Sequence, residues 1–401
     1  MFLADVTNYL IASILLSVSV AWVFLIKSMW ITFRDSPFLD KYNSKPHHTP
    51  KVSVILPARN EEMFIEKCIN SLLDQDYENY EIVVIDDMSD DSTGEIIKKI
   101  ARKDSRVVHV QAAPKPEKWI GKNWACIEGF NASSGELLLF TDADTIHTQK
   151  TIALAVDHLL SEELDALTVV PKMLCLDWWT KITLPVLSTF LHTRFSALRV
   201  NDPSKKTGYF FGSFFIIKRK TYESVGTHES VKSEIVEDGA LGKKVKEQGF
   251  KLKMVRGEHL IEAVWARDRT TLWHALKRLM IPLYIQSSKM AIGIFFAVLF
   301  LLFVPFPVLV YSALYANTST SFEVLLGTSL LASGLVYIGS TIDAKKGLGL
   351  GFRHALFAPL GSAVIVSGFA SGIFHAKKNN AITWRGRTYS ISETVQNPIS
   401  L

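Results

Sequence analysis

The chain has 401 residues, of which 48% are apolar and 21% charged, with a net charge of +5. So weak a positive balance gives no electrostatic footprint for nucleic acid, and three scattered cysteines (Cys68, Cys126 and Cys175) with no CxxC pair argue against a disulfide framework or a thiolate zinc site. The apolar excess collects at the two ends, and the middle reads as a soluble α/β domain.

Residues 9–26 form an uncharged apolar run that, with Trp30 and Ile31, is long enough to cross a bilayer. Asp5 stands where a signal peptide would be basic, and no small-residue cleavage site follows, so a retained anchor over 1–39 is expected. Lys27, Arg34, Lys41 and Lys45 come after this run, which predicts an outside amino terminus and a cytosolic middle domain. Residues 40–50 read as a linker. The middle domain is expected over 51–262. It opens on a β-rich run at 52–56 and continues with helical spacing at 63–73 and a continuous apolar strand at 81–86. A helix at 92–102, a strand at 106–110, a helix at 123–132 and a strand at 136–140 follow. Strands alternating with helices predict a mostly parallel sheet covered on both faces. Two further segments stand out, 208–218 and the acidic 233–241, which leads into a helix.

From 263 to 288 basic and apolar residues mix around His274, Lys277 and Arg278, as in a helix lying on a membrane surface. Three apolar runs then fall within 289–376, at 291–314, 324–342 and 352–374. Lys345, Lys346 and Arg353 place the second loop in the cytosol, whereas the uncharged loop 315–322 belongs outside. Three full crossings would then put the basic tail, 377–401, on the wrong side. One run is therefore expected to be re-entrant, and Pro359 with several glycines marks the last.

Ligands of parallel α/β sheets sit at the carboxyl ends of the strands. Asp86-Asp87 and Asp142-Ala143-Asp144 end two expected strands, and Glu237-Asp238 opens an expected helix. Asp142 and Asp144 could converge on a hard cation such as Mg²⁺ or Mn²⁺ that also takes substrate phosphates; equally, Asp144 or Thr145 could cap a helix over 149–160. Asp86 and Asp87 could face a base or ribose, or simply end a strand in an Asp-Ser turn. Asp238 could act as a general base on a hydroxyl, or complement a helix dipole.

Taken in order, Val54-Ile-Leu-Pro-Ala-Arg-Asn-Glu-Glu62, Val83-Val-Ile-Asp-Asp87, Gly121-Lys-Asn-Trp-Ala125, Thr141-Asp-Ala-Asp144, Phe211-Gly-Ser-Phe-Phe215 and Glu237-Asp238 resemble the inverting GT-A-fold glycosyltransferases, the family of ceramide glucosyltransferase, dolichyl-phosphate mannose synthase and cellulose synthase. The anchor, the membrane runs, Asn201-Asp-Pro203 and the tail segment 382–389 are most similar to its lipid-modifying branch, that of hopanoid-associated and diaponeurosporenoate glycosyltransferases. The resemblance implies a Rossmann-like α/β GT-A catalytic domain with an α-helical transmembrane region. Pro57, Ala58, Arg59 and Glu61 would line the nucleotide pocket, Asp86 or Asp87 would contact the base, and Lys122 a base or phosphate oxygen. Asp142 would contact the ribose or sugar, Asp144 the metal, and Asp238 would be the base. Gly212 and Phe214, with Glu237 beside the base, would shape the acceptor side. The Gln-x-x-Arg-Trp motif of the processive and ceramide branches is missing from residues 273–278. That argues against polymer synthesis and leaves Arg278, Arg385 or Arg387 to hold the departing diphosphate, or else lipid headgroups.

The expected function is transfer of a sugar from a nucleotide-diphosphate donor (UDP- or GDP-sugar) to a membrane lipid hydroxyl, by an integral protein of the cell membrane. A polyprenyl-phosphate acceptor is the alternative within the same chemistry. A membrane scaffold with a degenerate transferase domain is the alternative outside it.

Overall fold

The computed structural model describes residues 2–42, 49–191, 195–378, 381–384 and 387–390. The chain divides into two compact units: an α/β unit of residues 35–174, 195–264 and 381–401, and a helical unit of residues 1–34, 175–194 and 265–380.

The α/β unit is built on β1 (Val52–Ala58), β2 (Tyr80–Asp86), β3 (Val107–Gln111), β4 (Leu137–Phe140), β5 (Thr145–His147), β6 (Ala166–Val170), β7 (Lys172–Met173), β8 (Phe215–Lys218), β9 (Leu252–Arg256) and β10 (Ile261–Ala263). Seven of these form one sheet in the order β3-β2-β1-β4-β8-β6-β9. Every pairing is parallel except those of β8, which runs against both neighbours. Alternation along the strands supplies two cores. Val54, Leu56, Ile82, Val84 and Leu139 enter one, with the helices Ile65–Leu73 and Thr151–Ser161. Ile55, Val83, Ile85, Leu138 and Phe140 enter the other, with the helices Gly121–Asn131 and Glu237–Glu247. Register then fixes where each strand ends: Ala58 lies opposite Asp86, and Asp86 opposite Gln111. A small sheet, β5-β10-β7, flanks the exit of β4.

The structure bears on the sequence expectations in three places. Thr145 opens β5, and the helix Thr151–Ser161 starts from Lys150, so neither Asp144 nor Thr145 is its cap. Residues 175–194 lie inside the expected domain 51–262 but group with the helical unit. Their helix, Trp178–Leu187, is started by an Asp177 capping box. Pro359 does not break the last apolar run, and the bend falls in an earlier one. That residue sits in the first turn of the helix Ala358–Lys378, where its missing N–H costs nothing. The break follows a π-helical turn, Leu299–Phe303, where helices Ser288–Phe303 and Pro305–Thr318 meet at 49°.

In the helical unit, Phe2–Asp35 buries a stripe of Asn8, Ala12, Leu15, Ser19, Trp22 and Met29, spaced three, four or seven apart on one helical face. Trp22 donates to the Leu301 carbonyl at 2.8 Å. The helix Thr320–Lys346 meets it with small residues, as close helix packing requires; a Cβ on Gly339 would lie 2.3 Å from the Trp22 ring. Among the described residues three helices, Leu3–Asp35, Thr320–Lys346 and Phe352–Lys378, are long and apolar enough to cross a membrane, and the bent pair makes four if it is one span.

Candidate active site

The ends of β1 and β2 are stitched together by their loops. Arg59 donates from Nη1 to the carbonyls of Asp87 (2.6 Å) and Met88 (2.5 Å) and pairs through Nη2 with Asp90. The Asp87 amide donates to the Ala58 carbonyl, and the Glu61 amide to Thr93 Oγ1. Asp91 accepts from the amides of Glu62 and Thr93. Asn60 and Met88 hold φ of 54° and 56°, left-handed conformations that this stitching enforces. Asp90 and Asp91 are therefore turn residues, while Asp86 and Asp87 remain buried at the strand end. Asp86 accepts from the Ser89 amide. Asp87 Oδ2 is held at 2.5 Å by Arg387 Nη1, but Oδ1 is buried with no hydrogen-bond partner among the described residues. Arg387 belongs to the hairpin of strands Ala381–Trp384 and Arg387–Ser390.

A second group forms where β4 emerges. Lys122, in the first turn of Gly121–Asn131, lies partly buried between two carboxylates, with Nζ 2.7 Å from Asp142 Oδ1 and 2.7 Å from Glu237 Oε1. Burial works against its charge, but Asp142, Glu237 and Asp238 outweigh it and hold the ammonium well above the ordinary lysine value. Asp238 Oδ2 accepts from the Gly212 amide at 2.9 Å and Oδ1 from the Gly239 amide at 2.7 Å. Burial, then the Glu237 charge, push its carboxyl up to about 7 against the pull of Lys122. A group so placed changes protonation near neutrality, as a general base must. Gly212 is the hinge of this arrangement. A Cβ there would sit 3.0 Å from Asp238 Oδ2, 3.1 Å from Lys122 Nζ and 3.3 Å from Asp142 Oδ2, so a larger residue would press on all three charged groups where they converge.

The structure thus brings Lys122, Asp142, Gly212, Glu237 and Asp238 together, with Pro57 and Thr141 lining a small cavity behind Lys122. Phe214 is a correction: it is fully buried in the core with its ring 5.8 Å from His147, and shapes no acceptor wall. Arg387 is on Asp87 rather than on the Lys122 group. Arg278 lies in the helix Arg269–Gln286 of the helical unit, and Arg385 falls outside the described residues. Sequence reasoning missed Tyr209, which packs on Gly239 and feels the Asp238 charge. Burial raises the thiols of Cys68 and Cys126, the ordinary behaviour of inert core cysteines.

No group of three His, Cys, Asp or Glu side chains able to hold a metal exists among the described residues. Asp142, already paired through Oδ1, and Asp144 nonetheless suit a cation that takes only one or two carboxylates and completes its shell with substrate phosphates and water.

Residues 53–226 match the family model "Glycosyl transferase family 2". The 4,4'-diaponeurosporenoate glycosyltransferase of Staphylococcus haemolyticus is 29% identical over 199 residues, 49% of this chain and 51% of that protein. The probable glycosyltransferase YdaM of Bacillus subtilis is 30% identical over 159 residues, 37% of each chain. The chain thus spans about half or less of the length of these curated relatives. The fold is similar to that of the mannosyltransferase PcManGT from Pyrobaculum calidifontis, solved with GDP-Man and Mn²⁺, at a TM-score of 0.53 and 17% identity over 92% of this chain and 99% of that one. The α/β unit has a GT-A-type sheet, and residues 53–226 are similar to glycosyl transferase family 2 domains.

Proposed function

We propose that the protein transfers a sugar, with inversion, from a nucleotide-diphosphate sugar to the hydroxyl of a membrane lipid. The observation that carries this reading is Asp238, half-buried at a helix start and raised to about 7 beside the Lys122 cluster. The buried carboxylates at the ends of β1 and β2 would take the nucleoside, and Arg59 would keep their loops in shape. Asp142 and Asp144 would hold Mg²⁺ or Mn²⁺, which supplies charge compensation for the donor diphosphate. Lys122 fixes Asp142 in position and keeps positive charge at the floor of the site. Asp238 then takes the proton from the acceptor hydroxyl as that oxygen attacks the anomeric carbon and the nucleoside diphosphate departs. A polyprenyl-phosphate acceptor, already ionised, would need no such base, so the raised Asp238 favours a hydroxyl. The diaponeurosporenoate enzymes among the relatives also carry a lipid in their names. Incubating membranes that contain the protein with a panel of labelled nucleotide sugars, then extracting lipids, tests the reading. Label in the lipid fraction supports it; label released only as free sugar contradicts it.

For the membrane we propose three crossings and one returning helix, with the catalytic unit in the cytosol. Asn8 donates to Ser321 Oγ, which donates to Asp5, so the helices Phe2–Asp35 and Thr320–Lys346 start at the same end and run parallel. The bent pair also finishes at that end and passes Trp22 on its way, as a single broken span would. Asp35 and Lys346 therefore emerge on one side. The tail reaches that same side, because Arg387 binds Asp87 of the unit that Asp35 leads into. Residues 352–378 accordingly begin and end on one side, and Lys27, Arg34, Lys345, Lys346, Arg353, Lys377 and Lys378 all fall there.

A further inference from the structure

We infer that Arg387, from the carboxyl-terminal hairpin, is a positioning residue of the donor pocket that selects a base offering a single N–H, uracil rather than guanine. The inference rests on the reading of Asp87 as a nucleoside contact.

The geometry is that of a carboxylate with one side committed. Arg387 Nη1 holds Asp87 Oδ2 at 2.5 Å while Nη2 reaches the Asp87 carbonyl at 3.3 Å, across 300 residues of sequence. Arg59 Nη1 takes the same carbonyl at 2.6 Å. Two guanidinium groups thus fix both the backbone and the side chain of Asp87. Its remaining oxygen, Oδ1, is buried and has no hydrogen-bond partner among the described residues. A buried carboxylate oxygen without a donor is costly, and a ligand N–H would relieve it. One free oxygen accepts one N–H in line. The imide edge of uracil offers one N–H between two carbonyls, whereas guanine offers two adjacent donors that suit a carboxylate with both oxygens open. Arg387 therefore does two things at once: it aims Oδ1, and it withdraws Oδ2 from the competition. Because Arg387 comes from the tail, the donor pocket is complete only when the hairpin is docked.

The test uses full-length protein in detergent with Mn²⁺ and measures binding of UDP and GDP to the wild type, Arg387→Met, Arg387→Lys, Asp87→Asn and the double variant Asp87→Asn/Arg387→Met. The wild type is expected to prefer UDP. Arg387→Met should weaken UDP by about tenfold, the usual effect of losing one charge-assisted contact, and lower the UDP-to-GDP ratio, because both carboxylate oxygens are then open. Arg387→Lys should recover part of the UDP affinity. The double variant should bind UDP no worse than Asp87→Asn alone. A loss of fold would weaken both nucleotides together, so the ratio isolates the positioning role. An unchanged ratio in Arg387→Met, with Asp87→Asn impaired, overturns the role of Arg387 alone. Unimpaired UDP binding by Asp87→Asn, or no nucleotide binding by the wild type, overturns the nucleoside reading of Asp87 and this inference with it.

Discussion

Lys122→Met is the sharpest perturbation of the site, because methionine nearly fills the lysine stem and removes only the charge. At 2.7 Å from each carboxylate, an effective dielectric of about 20 gives an attraction of about 6 kcal/mol per pair. Desolvation of the buried ammonium offsets much of it. Breaking a buried pair typically costs about 3–5 kcal/mol, since it strands the partner. The Asp142 side chain is 35% exposed and regains water, so its share is discounted; the Glu237 side chain, 7% exposed, cannot. The expected net loss is about 3 kcal/mol, or roughly 6–12 °C in Tm for a unit of this size. A stranded carboxylate regains neutrality by taking a proton, so the deficit should be largest at pH 8 and shrink toward pH 5. Thermal unfolding of the purified protein at both pH values, read by intrinsic fluorescence, measures this. An equal loss at pH 5 and pH 8 would mean that packing, not charge, had been removed, and would refute the reasoning.

Three further outcomes follow from the same geometry. Gly212→Ala places a methyl group 3.0 Å from Asp238 Oδ2 and 3.1 Å from Lys122 Nζ, so turnover should fall by about a hundredfold with little change in Tm; wild-type turnover would show that the convergence of charges is not used. Chelation with EDTA should weaken nucleotide-sugar binding in the wild type and leave the already weak binding of Asp144→Asn unmoved; equal sensitivity in both would remove Asp144 from the metal set. Asp238 carries a raised carboxyl, so kcat/KM should climb with pH, about tenfold per unit below 7, and level off above as the base becomes ionised; a flat profile from pH 5 to 8 would rule out a base with this titration.

The sheet was legible because its strands are short apolar runs ended by acids. Val83-Val-Ile-Asp86 and Leu137–Phe140 announce both the double burial and the exits at which the site assembles. The pairing of Lys122 with Glu237, and of Arg387 with Asp87 at a separation of 300 residues, could not be read from spacing, because topology alone brings those positions together. The resemblance put Phe214 on the acceptor side. Residues 211–214 form a turn ahead of β8, closed by the Phe214 amide on the Phe211 carbonyl, and it carries Phe214 into the core while Gly212 faces the acids. The helix Trp178–Leu187 falls inside the expected domain 51–262, and its place in the helical unit depends on partners distant in sequence. Pro305 and Pro359 both stand in the first turn of a helix; what separates them is what comes before, a π-helical turn closing the helix Ser288–Phe303 in one case and the short 3-10 turn Phe352–Phe357 in the other.

The central claim is that Asp238 deprotonates a lipid hydroxyl during sugar transfer. It is tested most directly by Asp238→Asn, assayed for both donor binding and transfer of labelled sugar to extracted lipid. Asparagine keeps the size of the side chain and can still accept the Gly212 amide, but it cannot take a proton. Donor affinity within a few-fold of wild type, with transfer reduced by at least about a thousandfold, is the result the account predicts. Transfer at the wild-type rate would contradict it.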